Sequence, residues 1–113
     1  NNKHLPNSSL HLYWDDLPGP PWLRGKRLEK NAQRLLDDNP PPTPGTVAQW
    51  RDESHALLAS AYPTAAGSLL PVITEDFNHQ AHAIANRRIV DAGYRLGWLL
   101  EANIGARVSR ETP

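Results

Sequence analysis

Two residues four apart, His11 and Asp15, are the pair in this sequence best suited to chemistry. On a helix they share one face, about one turn apart. An imidazole nitrogen and a carboxylate oxygen so placed can bind one metal ion together, and both are good zinc donors. The ordinary reading of the same spacing is a solvated helix pair, contributing only a few tenths of a kcal/mol. Leu10, Leu12, Tyr13 and Trp14 surround the pair with apolar and aromatic side chains, so it is expected away from open surface. Other candidates are weaker. His4 precedes His11 by seven residues and sits in Lys3-His4-Leu5-Pro6, which reads as a loop. His79 and His82, three apart, are near enough to chelate but lie off the apolar stripe, beside Asn78 and Gln80, as on a solvated face. Glu53 reads equally as a carboxylate behind a metal site or as an exposed helix acid. Arg87, Arg88 and Arg95 could meet phosphate, although a basic helix face more often only confers solubility. His55 has no partner that the sequence identifies.

The composition narrows what these residues can belong to. The chain has 113 residues, enough for one small domain, with 12 basic and 12 acidic side chains. That balance argues against a partner gripped mainly through a basic surface, since phosphate neutralisation needs clustered Lys and Arg. It leaves open an enzyme that holds phosphate through metal ions. With no cysteine, disulfides and thiolate ligands are excluded, and any metal falls to His, Asp or Glu. No stretch approaches the roughly 20 apolar residues that span a bilayer, so no membrane span is expected. The first residues, Asn-Asn-Lys-His, do not read as a signal peptide, and in a fragment none would be expected.

The elements that must position the pair are helical. Eleven prolines divide the chain. Ser8 or Ser9 can cap a short helix carrying His11 and Asp15, which the Pro/Gly cluster at 18–21 stops. A second helix is expected from Pro21 to about Asp38, with Leu28, Ala32, Leu35 and Leu36 as its apolar stripe and Asn39-Pro40-Pro41-Pro42 ending it. Thr46 and Gln49 have capping-box spacing at the head of a third, striped by Val47, Trp50, Ser54, Leu57, Leu58 and Ala61 as far as Tyr62-Pro63. Residues 63–73 read as loop, with Leu69, Leu70, Val72 and Ile73 tucked against the helices. Thr74, followed by Glu75 and Asp76, caps the last helix. Its stripe is Phe77, Ala81, Ile84, Ile89, Ala92, Leu96, Leu99 and Leu100, and Asn103 and Gly105 mark its end, a helix about 40 Å long. Residues 106–113 are expected to fray. Nothing outside the helical stripes alternates with period two for long, so no strand is expected and the fold class is all-α. Core packing is the expected role of the tryptophans on clear stripes, and Trp14 could also wall a metal site.

Three segments, in order, resemble the S1/P1 nuclease family of zinc-dependent enzymes. The family's last metal-binding motif runs approximately Asn-Leu-His-x-x-Trp-Asp; Leu10, His11, Trp14 and Asp15 match it, with Ser9 in place of the Asn. Trp50-Arg51-Asp52-Glu53-Ser54-His55-Ala56-Leu57 is similar to a later helix with a Trp-x-x-Glu-Ser pattern. Ala92-Gly93-Tyr94-Arg95-Leu96-Gly97-Trp98-Leu99-Leu100 is similar to the closing helix, with its Ala-Gly-x-Arg-Leu core. The resemblance implies a phospholipase C/P1 nuclease-like helical fold of which residues 1–113 are the C-terminal portion. It implies three zinc ions in a cleft, and hydrolysis of phosphodiester bonds of single-stranded DNA and RNA to 5'-nucleotides, often with removal of 3'-phosphates. It also implies secretion, or export to a periplasm. By the match, His11 and Asp15 ligate one zinc, with His11 neutral, and neither is the general base.

The departures carry equal weight. The family's site uses nine ligating residues, beginning with an N-terminal Trp, and only two have counterparts here. The resemblance therefore implies a missing N-terminal part of the same protein that supplies the rest. The chain alone, with one zinc at most partly ligated, is expected to be inactive. Two rival readings stand beside this one: a zinc-dependent phospholipase C of the same fold, and a metal-free helical interaction module that buries a partner helix on residues 75–103.

Overall fold

The structure is a computed structural model that describes residues 3–4, 10–63 and 72–111. Its fold is all-α. Four helices follow in order: α1 (Leu10–Asp15), α2 (Gly25–Asp38), α3 (Val47–Ala56) with a 3-10 turn at Leu58–Ala61, and α4 (Glu75–Glu111). Tyr62 and Pro63 end the third segment as expected.

Local chemistry sets most of these boundaries. At the head of α3 both halves of the capping box are made: Gln49 N–H donates to Thr46 Oγ1, and Thr46 N–H donates to Gln49 Oε1. Gly45, at φ +62°, turns the chain into that cap through a left-handed conformation that a Cβ disfavours. Thr74 caps α4 by accepting the Phe77 N–H at 3.0 Å, and Glu75 and Asp76 sit in the positive first turn.

Three expectations need correction. The second helix starts at Gly25, not at Pro21. Residues 20–23 form a turn closed by Leu23 N–H on Pro20 O, and Gly25 at φ +58° makes the reversal into the helix. The last helix runs through Asn103 and Gly105 to Glu111. One glycine raises the energy of a helix by only about 1 kcal/mol and does not end it; the next true breaker is Pro113. Lastly, a small ladder exists where no strand was expected. Strand β1 (Lys3–His4) pairs antiparallel with β2 (Val72–Ile73), placing Lys3 opposite Ile73 and His4 opposite Val72. Two-residue strands are too short to leave an alternation that can be read. His4 thus stands in a strand rather than a loop. The Ser8 and Ser9 caps, and Leu69 and Leu70, lie outside the described residues.

The apolar stripes are mostly uncovered. Among the described residues the buried apolar side chains are Leu17, Ile73, Ala81 and Val90. Leu28, Leu36, Val47 and Leu58 are exposed, as are Ile89, Leu96, Leu99 and Leu100 on α4, and Trp22. Trp14, Trp50 and Trp98 are half-buried. A compact chain of this length has a radius of gyration of about 13 Å; this one measures 17.9 Å, with a long axis of 68 Å. The 37-residue α4 sets that axis, and the shorter helices lie along part of it. Ridge-and-groove packing is thin between α2 and α4, where Ala32, Leu35, Val90, Tyr94 and Trp98 line an open groove of about 490 Å³.

Candidate functional site

The α1 segment is only six residues long, too short to hold itself in water. Its aromatic residues hold it instead. Tyr13 and Trp14 turn inward onto Phe77 in the first turn of α4, with ring centroids 6.1 and 6.3 Å away. Tyr13 and Trp14 also meet edge-on at 6.2 Å. Each ring places its polar tip: Tyr13 Oη donates to Asn78 Oδ1 at 2.6 Å, and Trp14 Nε1 donates to Ala61 O at 2.9 Å. Burial pushes the Tyr13 hydroxyl above its ordinary pKa.

With two inward residues fixed, the helix period sets the rest. His11 and Asp15 face outward together, with His11 Nε2 3.2 Å from Asp15 Oδ2. Their side chains are 85% and 58% exposed. The pair therefore stands on an open surface, contrary to the sequence expectation. Tyr13 and Trp14 are apolar neighbours in sequence, but they point to the other side of the helix, and Leu12 is exposed beside the pair. Trp14 is a strut beneath the pair rather than a wall around it.

The donor set can be tested against zinc by distance. Two ligands of one tetrahedral zinc, each about 2.0–2.1 Å from the metal, lie about 3.3 Å apart. The observed separation is close to that edge, so the pair fits two corners of such a shell. Among the described residues, no group of three or more His, Asp or Glu side chains converges to complete it. His55, His79 and His82 are exposed on α3 and on the first turns of α4.

Glu53 has a different task. Arg95 reaches it twice, through Nη1 to Oε2 at 2.6 Å and Nη2 to Oε1 at 2.9 Å. Arg88 Nη1 adds a bond to Oε2 at 2.9 Å, while its Nη2 donates to Ser54 Oγ at 2.8 Å. The hydrogen bonds from Arg95 and then Arg88 draw the Glu53 pKa down from 4.5 to about 2, and Glu53 in turn raises that of Arg95. Arg95 is buried, lies over the Trp50 ring at 5.4 Å and donates to Thr43 O. Arg87 donates to Asp91 Oδ1 at 2.8 Å and to Pro40 O. These three arginines are spent on α3, Asp91 and the connector at 40–44 rather than offered to a phosphate. The signal lay in the i, i+3 and i+4 spacing of Arg87, Arg88, Asp91 and Arg95, which sets cation against anion on one face. Tyr13, Phe77 and Asn78, the anchors of α1, left no signal, because their meeting spans 65 residues.

No family model, curated protein or solved structure matches the chain.

Proposed function

We propose that this chain is the C-terminal portion of a zinc-dependent nuclease of the S1/P1 type, cleaving phosphodiester bonds of single-stranded DNA and RNA, with His11 and Asp15 as two ligands of one zinc. The observation that carries the reading is the outward pair at 3.2 Å, on a helix whose string Leu10-His11-x-x-Trp14-Asp15 resembles the family's motif. A second observation supports it. The other two resembling stretches meet each other, because Glu53 and Ser54 of one take Arg95 of the other and Arg88 just ahead of it. An exposed half-shell suits a site completed by ligands from another part of the protein, which faces the outward side of α1. When bound, the zinc ions supply an activated water and stabilise charge on the phosphate oxygens. This chain's own part is to hold two donors in register, with Tyr13 and Trp14 fixing the helix that bears them.

The rival with an observation in its favour is a metal-free interaction module, since apolar surface is exposed along α2 and α4. Among the described residues no helix is long and apolar enough to cross a membrane. The deciding experiment is zinc content of a longer protein that contains this chain, beside the chain itself. About three zinc ions on the longer protein and at most one on the chain, lost in His11→Ala, supports the nuclease. No zinc on either overturns it and leaves the module. Activity on phosphatidylcholine but not on single-stranded DNA would reassign the enzyme as a phospholipase C. The purified zinc-loaded chain is expected to show no phosphodiesterase activity.

A further inference from the structure

The cations of α2 are used differently from those of α4. Between Arg24 and Arg34 stand five basic residues and one acid, Glu29, although the whole chain balances 12 against 12. The α4 arginines are spent on Glu53, Asp91 and the connector at 40–44. On α2, among the described residues, no ion pair joins a basic side chain to an acid. Arg27, Lys30 and Arg34 follow at intervals of three and four residues and share one side of the helix, with Glu29 on the other. Asp37 accepts from Gln33. The placement is unfavourable for the helix itself. Its first turn holds Lys26 and Arg27 and no acid, at the end where the dipole disfavours cations, and Arg24 gives no side-chain cap. A local rule broken without compensation inside the chain points to a use for the charge.

These side chains form a hollow. Leu23, Arg27, Lys30, Asn31 and Arg34 line a shallow concavity of about 390 Å³, with no acid among them. Asn31 ties it together, donating from Nδ2 to Pro18 O at 3.0 Å and accepting on Oδ1 from Arg34 Nη2. The first bond seats the turn at 18–23 on the helix, and Gly19 permits the approach, since a Cβ there would come within 2.8 Å of Asn31 Nδ2. The second holds the Arg34 guanidinium while leaving its charge unpaired. Trp22 is next to Leu23 in that turn and, at 74%, is the most exposed large apolar side chain among the described residues. Arg24 folds back onto Pro21 O and Leu23 O and braces the turn that bears the ring. A cationic hollow beside a free aromatic face suits a polyanion that also carries flat rings, which is a nucleic-acid strand with unpaired bases. An anionic bilayer suits it less. The apolar residues of α2 that would enter one, Ala32 and Leu35, line the groove toward α4 instead.

We infer that the hollow on α2 binds the phosphates of a single-stranded nucleic acid through Arg27, Lys30 and Arg34, while Trp22 stacks on one of its bases. The site needs no metal and shares no residue with the His11/Asp15 pair. Under the nuclease reading it holds the strand away from the zinc. Without that reading it still makes the chain a strand-binding protein, so the two stand or fall separately. The neutral total charge does not oppose it, because a few phosphate contacts and one stacked base need only local charge.

A labelled oligothymidylate of about 12 nucleotides, titrated with the chain and read by fluorescence anisotropy, tests this. A chelator keeps zinc out of the measurement, so the result is independent of the zinc content that decides the nuclease reading. Binding at about 50 mM salt should fall with added salt at a log–log slope near −2, from about 0.7 for each of three phosphates. Lys30→Ala should flatten that slope by about 0.7, and Arg27→Glu with Lys30→Glu should weaken binding more than about tenfold. Arg27→Glu puts an acid in the first turn, where the dipole favours it, so an unchanged or raised thermal midpoint separates lost binding from lost folding. Trp22→Ala should weaken binding about tenfold with the slope unchanged, and should leave binding to a duplex of the same length unaltered. No rise in anisotropy up to about 1 mM chain, beyond the ordinary range of non-specific binding, overturns the inference. So does binding that survives the paired charge reversal, an equal Trp22→Ala loss on the duplex, or co-sedimentation with phosphatidylserine vesicles in preference to the strand.

Discussion

Two helices are joined to α4 by opposite means. The α3 joint is polar: Glu53 is gripped by Arg88 and Arg95, and the same arginines bond Ser54 Oγ and Thr43 O. The α2 joint is apolar, and its Leu35, Val90 and Trp98 surfaces stand apart across an open groove of about 490 Å³. Apolar contact is non-directional and tolerates such a gap, whereas a bidentate guanidinium–carboxylate pair has one geometry. The chain therefore fixes the placement of α3 without a large core. It leaves α2 and the rest of α4 with apolar surface to spare.

Removing Arg95 tests that contrast most severely. Arg95→Leu keeps much of the volume but strips Glu53 of its bidentate partner and Thr43 O of its donor, and should lower the thermal midpoint by at least about 5 °C. Leu35→Ala, a comparable change at the apolar joint, should cost less because the groove already leaves its side chain partly unpacked. The reverse ranking would mean that α2, not α3, is the firmer joint. Next in size is Phe77→Ala, which removes the ring under both Tyr13 and Trp14. Being half-buried, it should cost about 2 kcal/mol by urea denaturation, with loss of the fixed environment of Trp14 in fluorescence.

Acid separates the joints without mutation. Because the Glu53 pKa is lowered in the folded chain from 4.5 to about 2, its contribution is fully present above about pH 4.5 and is lost as pH falls toward 2. The stability of Glu53→Gln should accordingly lose part of the decline that the parent shows between pH 4.5 and 2; an unchanged slope would remove Glu53 as its source. The smallest effect belongs to His11→Ala. An exposed pair contributes little, so stability should move by no more than about 0.5 kcal/mol, while any zinc binding by the chain disappears.

The helices and caps were legible in the sequence because their signals are local. Thr46 with Gln49, and Thr74 with Glu75 and Asp76, act within one turn, and the structure makes the bonds that their spacing announces. The helix-sharing of His11 and Asp15 was legible for the same reason. Their exposure was not, since which side of a six-residue helix faces in depends on Phe77 and Asn78, far along the chain. The Glu53 clamp was half legible: its cations and anion have helical spacing on α4, but their target lies on another helix. Stripe positions such as Leu96 and Leu100 read as core, because periodicity marks a face that needs cover and does not say that the chain itself supplies it.

The connector from Pro40 to Pro44 carries a consequence of its own. Proline has no N–H, so this stretch presents carbonyl oxygens that its own backbone does little to satisfy. Arg87 takes Pro40 O, Arg95 takes Thr43 O, and the Trp50 indole takes Pro44 O. Stiffness and acceptors together make the segment a ruler laid across α4, graduated in single residues. A chain one residue longer there would put these oxygens out of register with the two guanidiniums and the indole that hold them. Insertions that an ordinary surface loop absorbs would here displace α3 as a unit, so length at 40–44 should be as constrained as the identity of Arg95.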